Sequence, residues 1–278
     1  MTGQSIPWWS DKGKGKFIVF LDSDDEIAPG VLSAIDLAER NSLDMTIMRS
    51  KRLSFDGAVE YVYELQYAPN VVFSGIDFQN NHPFWCTGPV LYVYSKTFLE
   101  SVNYSFAEDV LYEDSDFVSV HLYNAKRMGY CDECGYLINS NPFSTTHTVS
   151  YKHVCDYALL GTRMLAFYQS LEDKSSNFAS SVLEGGSWNV MKSCKSLFKL
   201  QTISDIYAFY DRFDSLASRE DLLRYKKPTY CWTRWTRFCL KNRRLTILCV
   251  GFVLPIRRLI RCRNRYKEIR KNNYVDSH

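Results

Sequence analysis

The spacing of apolar positions over the first 140 residues alternates between two patterns. A continuous apolar run at residues 16–21 has the length and composition of a buried strand, and the spacing over 31–40 predicts an amphipathic helix after it. In chain order, further patterns predict strands over 44–49, 61–67, 88–94 and 128–139 and helices over 95–100 and 114–125. Strands and helices that alternate in this way indicate an α/β fold.

Beyond residue 150 the apolar spacing is helical, over 153–171 and again over 178–210. The balance of charge then changes from acidic to strongly basic. Residues 224–271 contain 16 Lys or Arg residues and one acid, which gives this segment a charge of +15 and leaves −12 for the rest of the chain. These shifts predict three regions, which are an α/β domain at 1–150, a helical region at 151–223 and a basic amphipathic tail at 224–278.

The basic tail contains a twelve-residue apolar run, LTILCVGFVLPI, between two pairs of arginines. The run is too short to span a bilayer. It predicts a segment that lies in the interface of an anionic membrane, through residues 224–271. A core helix with a solvated basic face is the alternative, and no nucleic acid is expected because no recognised binding motif accompanies the charge.

The beginning of the chain and its cysteines suggest a location. MTGQSIPWWSDKGKG has no apolar signal-peptide core, and the nine cysteines are an odd number. We therefore expect a cytoplasmic protein with reduced thiols, peripheral on the inner face of the cell membrane.

An acidic cluster follows the first predicted strand, in FIVFLDSDDE. Asp22, Asp24 and Asp25 are close enough to repel one another, so something must offset that cost. A divalent cation, Mg²⁺ or Mn²⁺, would do so, because such ions prefer hard oxygen ligands. A polar turn open to water is the alternative.

A second acidic stretch, YEDSDF, occupies residues 112–117. Carboxylates at the start of a helix can supply a general base. They are also favoured there by the helix dipole alone, so the stretch by itself leaves both interpretations open.

The two stretches stand in order, with Asp114 90 residues after Asp24. KGKFIVFLDSDDEIAPGVL and LYEDSDFV resemble two motifs of family 2 glycosyltransferases of the GT-A fold, and the resemblance covers residues 3–150. It implies a partial GT-A sheet with helices, followed by the helical region and the tail. The implied reaction is metal-dependent, inverting transfer of a sugar, in cell-surface polysaccharide synthesis. The implied donor is a nucleotide sugar, such as a UDP-sugar, and the acceptor is a glycan or lipid-linked.

The resemblance also implies roles for the acidic residues. Asp24 would hold the divalent cation on the donor diphosphate, and Asp22 would contact the ribose or the metal. Asp25 would lie beside the donor sugar. Asp114 would be the catalytic base, with Glu113 positioning the acceptor or the base.

Three further implied contacts come from neighbouring segments. PFWCTGPVLYVY resembles the acceptor side of the family, which makes Trp85 and Gly88 candidates for acceptor binding. His147 is a candidate third metal ligand or phosphate contact, with a surface histidine as the alternative.

The sequence also departs from the family. The usual first strands, which hold the nucleotide base, have no counterpart, so an N-terminally truncated enzyme is expected and a non-catalytic remnant is the second interpretation. A third is a haloacid-dehalogenase-like phosphatase, in which the first Asp of a D-x-D motif is the nucleophile. That class usually has Gly-Thr where this chain has Asp25-Glu26.

Overall fold

The computed structural model describes residues 13–68, 70–82, 88–140, 150–200, 202–223 and 234–253. The strands are β1 (Phe17–Val19), β2 (Glu26–Ile27), β3 (Met45–Leu53), β4 (Val59–Tyr63), β5 (Tyr92–Ser95) and β6 (Met128–Asn139). The helices are α1 (Gly30–Asn41), α2 (Gly75–Asn81), α3 (Lys96–Val102), α4 (Asp114–Asn124), α5 (Tyr151–Ser170), α6 (Asn177–Ser196), α7 (Ile203–Leu216), α8 (Arg219–Leu223) and α9 (Arg234–Lys241). Residues 243–253 are also helical.

The strands form one mixed sheet in the order β1-β5-β3-β6-β2, with β4 also paired to β3. The central pair, β3 with β6, is parallel, and the other pairs are antiparallel. Because β1 and β2 lie at opposite ends of this order, the six residues between them must cross the sheet. The acidic cluster lies in this crossing segment.

Helix α1 approaches β6 closely, and the sequence permits this at one position. A Cβ atom on Gly30 would lie 2.5 Å from the carbonyl oxygen of Cys134, so only glycine fits there.

Strand β6 contains a bulge between its two cysteines. Met48 of β3 pairs with Cys131 of β6, while the next residue of β3, Arg49, pairs with Cys134.

Most predicted elements of the α/β domain are present, with two corrections. The strand predicted over 88–94 begins as a 3₁₀ turn, Pro89–Leu91, because a proline cannot donate to a strand ladder. The strand predicted over 61–67 lies earlier, at Val59–Tyr63, because a turn at Gly57 (φ +83°) pairs it with the end of β3. At α3, the Ser95 side chain accepts a hydrogen bond from the backbone N–H of Phe98 and so caps the helix.

The chain forms two compact units, residues 1–147 with 166–183, and residues 148–165 with 184–278. The three-region division predicted from the sequence stays a prediction. The helix predicted over 178–210 is two helices, because Thr202 and Asp205 form a capping box that starts α7. In the part of the chain that the structure describes, no helix combines the length and hydrophobicity needed to cross a bilayer.

Candidate functional site

Strand β6 holds the acidic segment in place through two side chains. The Tyr136 hydroxyl donates to Oδ2 of Asp25 (3.0 Å) and accepts from the backbone N–H of Asp22 (3.0 Å). The backbone N–H of Asn139 donates to Oδ1 of Asp25 (2.8 Å), and its side-chain amide donates to the carbonyl of Asp24 (2.9 Å). Both carboxylate oxygens of Asp25 are therefore bonded to β6, which fixes the path of the loop.

The carboxylates in this loop repel one another. Partial burial of its carboxyl group raises the pKa of Asp22 above its usual value, although the residue is exposed overall, and the neighbouring Asp25, Asp24 and Glu113 raise it further. Burial also raises the pKa of Asp25, although its hydrogen bonds from β6 and the nearby Arg52 act in the opposite direction. The loop thus keeps acids close together at an electrostatic cost.

An aromatic cluster brings the second acidic stretch to the loop. Phe20, at the end of β1, makes edge contacts with Tyr94 of β5 (ring centroids 5.4 Å apart), Phe106 (5.2 Å) and Phe117 of α4 (5.7 Å). Phe106 and Phe117 stack on each other at 4.0 Å. Because Phe20 is two residues before Asp22, this packing fixes the first turn of α4 beside the acidic loop.

Glu113 and Asp114 lie at the start of α4, as the sequence predicted. The preceding residue, Tyr112, has a φ of +66°, a conformation that is strained for an aromatic residue. Burial raises the pKa of Tyr94, and the charges of Tyr92 and Asp114 add to that rise. Glu113 acts electrostatically on Asp22, so the start of α4 lies near the acidic loop.

A third acid of the same stretch has a different environment. Asp116 is buried, and its Oδ2 accepts a hydrogen bond from the Tyr104 hydroxyl (2.8 Å). This contact ties α4 to the segment before it. Asp116 is thus a packing residue, whereas Glu113 of the same stretch acts on Asp22 in the loop.

The donor atoms of the loop suit a divalent cation that is shared with a ligand. Among the described residues, no group of three or more His, Cys, Asp or Glu side chains could hold a metal ion by itself. Asp22 and Asp24 are exposed, and one or two carboxylates with the phosphates of a nucleotide are a usual coordination for Mg²⁺. These two residues therefore fit a metal that arrives with a diphosphate.

Not every predicted site residue can be placed. Trp85 and His147 lie outside the described residues. Gly88 precedes the 3₁₀ turn that leads into β5 and has an ordinary φ of −65°. The roles predicted for these three residues, and for the acids, stay predictions.

Sequence reasoning missed the residues that hold the loop. Tyr136, Asn139 and Arg52 lie in strands, and their sequence context indicates only a strand. The bonds from Tyr136 and Asn139 depend on the pairing of β2 with β6, which sets Glu26 opposite Leu137. The effect of Arg52 depends on the parallel pairing of β3 with β6, which sets it opposite Ile138. No sequence signal short of those pairings could have found them.

No protein-family model matches the sequence, and no curated protein does. Among solved structures, S. aureus TarS residues 1–349 in complex with UDP-GlcNAc is similar, with a TM-score of 0.50, 14% identity, and coverage of 86% of this chain and 66% of that chain. The same TarS fragment described without a ligand has a TM-score of 0.47 at 14% identity, covering 86% and 65%. The chain thus spans about two thirds of the TarS fragment.

At this identity the likeness shows the fold and nothing finer. The mixed sheet with its flanking helices, followed by a helical C-terminal region, is a partial GT-A glycosyltransferase fold. The fold class that the sequence predicted is therefore confirmed.

Proposed function

We propose that this chain is a glycosyltransferase that moves a sugar from a nucleotide-sugar donor to a glycan or lipid-linked acceptor. The observation that carries the proposal is an acidic loop of Asp22, Asp24 and Asp25, with Glu113 at the start of α4 acting on Asp22, in a GT-A fold. The UDP-GlcNAc complex of TarS, which has this fold, makes a UDP-sugar the first donor to test.

Each acid would have a different role in the reaction. Asp24, with Asp22, would hold a divalent cation, Mn²⁺ or Mg²⁺. The cation neutralises charge on the leaving diphosphate when it is bound. Asp114 would accept the proton of the acceptor hydroxyl, because an alcohol is a poor nucleophile until a base takes that proton. Glu113 would orient the acceptor, and Asp25 would lie beside the donor sugar while its bonds to β6 fix the loop. Direct displacement inverts the configuration at the sugar carbon.

The proposed setting is the inner face of the cell membrane, in the synthesis of cell-surface polysaccharide. The charge of +15 on residues 224–271 favours attachment to anionic lipid. A lipid-linked acceptor would be reached at the same surface.

Calorimetric titration of UDP into the purified chain, with and without Mn²⁺, tests the donor site. We expect binding that requires Mn²⁺ and that Asp24→Ala weakens at least tenfold. The matched control is Asp36→Ala, which removes an exposed carboxylate of α1 that pairs only with Arg40 at 3.6 Å in the described structure. Its affinity for UDP should equal that of the wild type.

Two outcomes would contradict this proposal. A folded wild-type chain that binds neither UDP nor other nucleoside diphosphates would favour the non-catalytic remnant. Hydrolysis of a phosphate monoester that depends on Asp22 would favour the phosphatase.

A further inference from the structure

The helix over residues 243–253 has apolar side chains on two faces. One face is buried within the C-terminal unit and includes Ile247 and Val250. The other face carries Leu245, Leu248 and Phe252, whose side chains are 51%, 56% and 77% exposed. Residues three, four or seven positions apart share a helix face, so these three form one continuous apolar row.

The apolar row continues onto a second helix of the same unit. Ile203 and Tyr207, one turn apart at the start of α7, are 47% and 50% exposed. A Cβ atom on Gly251, the neighbour of Phe252, would lie 3.4 Å from Cδ1 of Ile203, so the two helices touch at this point. We call these five residues, Ile203, Tyr207, Leu245, Leu248 and Phe252, the apolar patch. Contiguous exposed apolar surface of this kind usually marks an interaction site.

A row of basic residues leads up to the apolar patch. Arg234, Arg237, Lys241 and Arg244 are all exposed and recur at intervals of three or four residues. The structure shows no ion pair between any of these four and a described residue, whereas the neighbouring Arg243 is bonded to Asp211 and Asp214. This basic row has uncompensated positive charge next to exposed leucine and phenylalanine.

We propose that the apolar patch and the basic row together dock the chain on an anionic lipid surface. Interfacial helices bind in this way, with apolar side chains among the acyl chains and Lys or Arg at the lipid phosphates. A second copy of the chain is a poorer partner, because it would bring two segments of charge +15 together. This proposal deepens the attachment proposed for residues 224–271 by naming the surface that makes it.

The test is co-sedimentation of the full chain with phosphatidylcholine vesicles, with or without about 30% phosphatidylglycerol, and uses no sugar donor. We expect binding to the anionic vesicles that weakens as NaCl rises from about 0.1 M to about 0.5 M. Leu248→Ser with Phe252→Ser should weaken it at least tenfold. Arg237→Gln with Arg244→Gln should weaken it several-fold and reduce its dependence on salt.

The matched control is Phe55→Ser, which removes a side chain that is 84% exposed in the hairpin between β3 and β4. Its vesicle binding should stay within twofold of the wild type. Circular dichroism and size-exclusion chromatography of each variant report folding and association.

Three results would overturn the proposal. The wild type could fail to bind anionic vesicles, or the Leu248/Phe252 double variant could bind them as well as the wild type does. The same double variant could instead abolish a dimer seen in solution, which would make the apolar patch a surface for a second copy. Because the vesicle assay contains no nucleotide, each result is independent of the UDP titration.

Discussion

Two clusters of charged residues in this chain are built in opposite ways. In the C-terminal unit, Asp214 accepts from both Arg219 (2.7 Å) and Arg243 (3.2 Å), and Arg243 also bonds to Asp211. In the acidic loop, the charged groups that act on Asp22 are all acids. The first cluster alternates charges, and the second concentrates one sign.

Under the proposed function, the first cluster serves folding and the second serves a ligand. Alternating charges on a surface stabilise a fold modestly and require no bound ion to offset repulsion. A cluster of one sign lowers stability until a cation or a proton enters, so it persists when function requires it. The N-terminal unit holds such a cluster in place with bonds from β6, which relieve it only in part because the pKa of Asp25 stays raised by burial and by Asp24.

The largest effect should come from the proposed base. We expect Asp114→Asn to lower kcat by about 10²- to 10⁴-fold, because an amide cannot accept the proton of the acceptor hydroxyl. The measurement is UDP release from a panel of UDP-sugars in the presence of acceptor. Affinity for UDP should change little, since the proposed role of Asp114 is toward the acceptor and not the diphosphate.

A control separates this loss of turnover from damage to the fold. Asp36→Asn removes another carboxylate of the same unit, which is exposed on α1 and pairs with Arg40, and should leave kcat unchanged. If Asp114→Asn kept full turnover while it bound UDP normally, the base would be another residue and the second acidic stretch would serve only the helix.

A smaller effect should follow from loosening the loop. Tyr136→Phe keeps the ring but deletes the hydroxyl that bonds to Asp25 and Asp22. We expect the free energy of unfolding to fall by about 1–2 kcal/mol and the affinity for UDP with Mn²⁺ to fall several-fold. Denaturant unfolding and calorimetry measure the two quantities.

The control lies on the same strand. The Tyr130 hydroxyl donates to Asp132 (3.2 Å), so Tyr130→Phe also deletes one hydroxyl from β6. Its affinity for UDP should match the wild type. Equal losses of affinity in the two variants would mean that β6 acts through general stability and does not position the acids.

The sequence indicates the acidic residues of the candidate site but not the residues that support them. D-x-D after an apolar run and the acids before a helix are local patterns, so Asp22, Asp24 and Asp114 can be found by reading along the chain. Tyr136 and Phe20 act through contacts across the sheet, and a strand pattern does not say which strands are neighbours. Asp116, in the same stretch as Asp114, belongs to the packing through Tyr104 and its burial, which a local pattern of acids does not reveal.

The smallest effects should have opposite signs in the two charge clusters. Asp22→Asn removes a repelled carboxylate, so we expect the free energy of unfolding at pH 7 to rise, by less than about 1 kcal/mol because the site is exposed to solvent. Asp214→Asn takes a charged acceptor from Arg219 and Arg243, so we expect a fall of about 0.5–1 kcal/mol.

The pH dependence of Asp22→Asn checks the cause. The pKa of Asp22 is raised in the folded chain, so the folded state holds its proton more tightly than the unfolded state does. The wild type therefore loses stability relative to the variant as pH rises from the usual pKa of 3.8 through the raised value, and the full difference remains at pH 7. Denaturant unfolding of both proteins between about pH 4 and pH 7 measures this. A difference that stays constant across that range, or that has the same sign as the effect of Asp214→Asn, would mean that the acidic loop carries no repulsion for a cation to relieve.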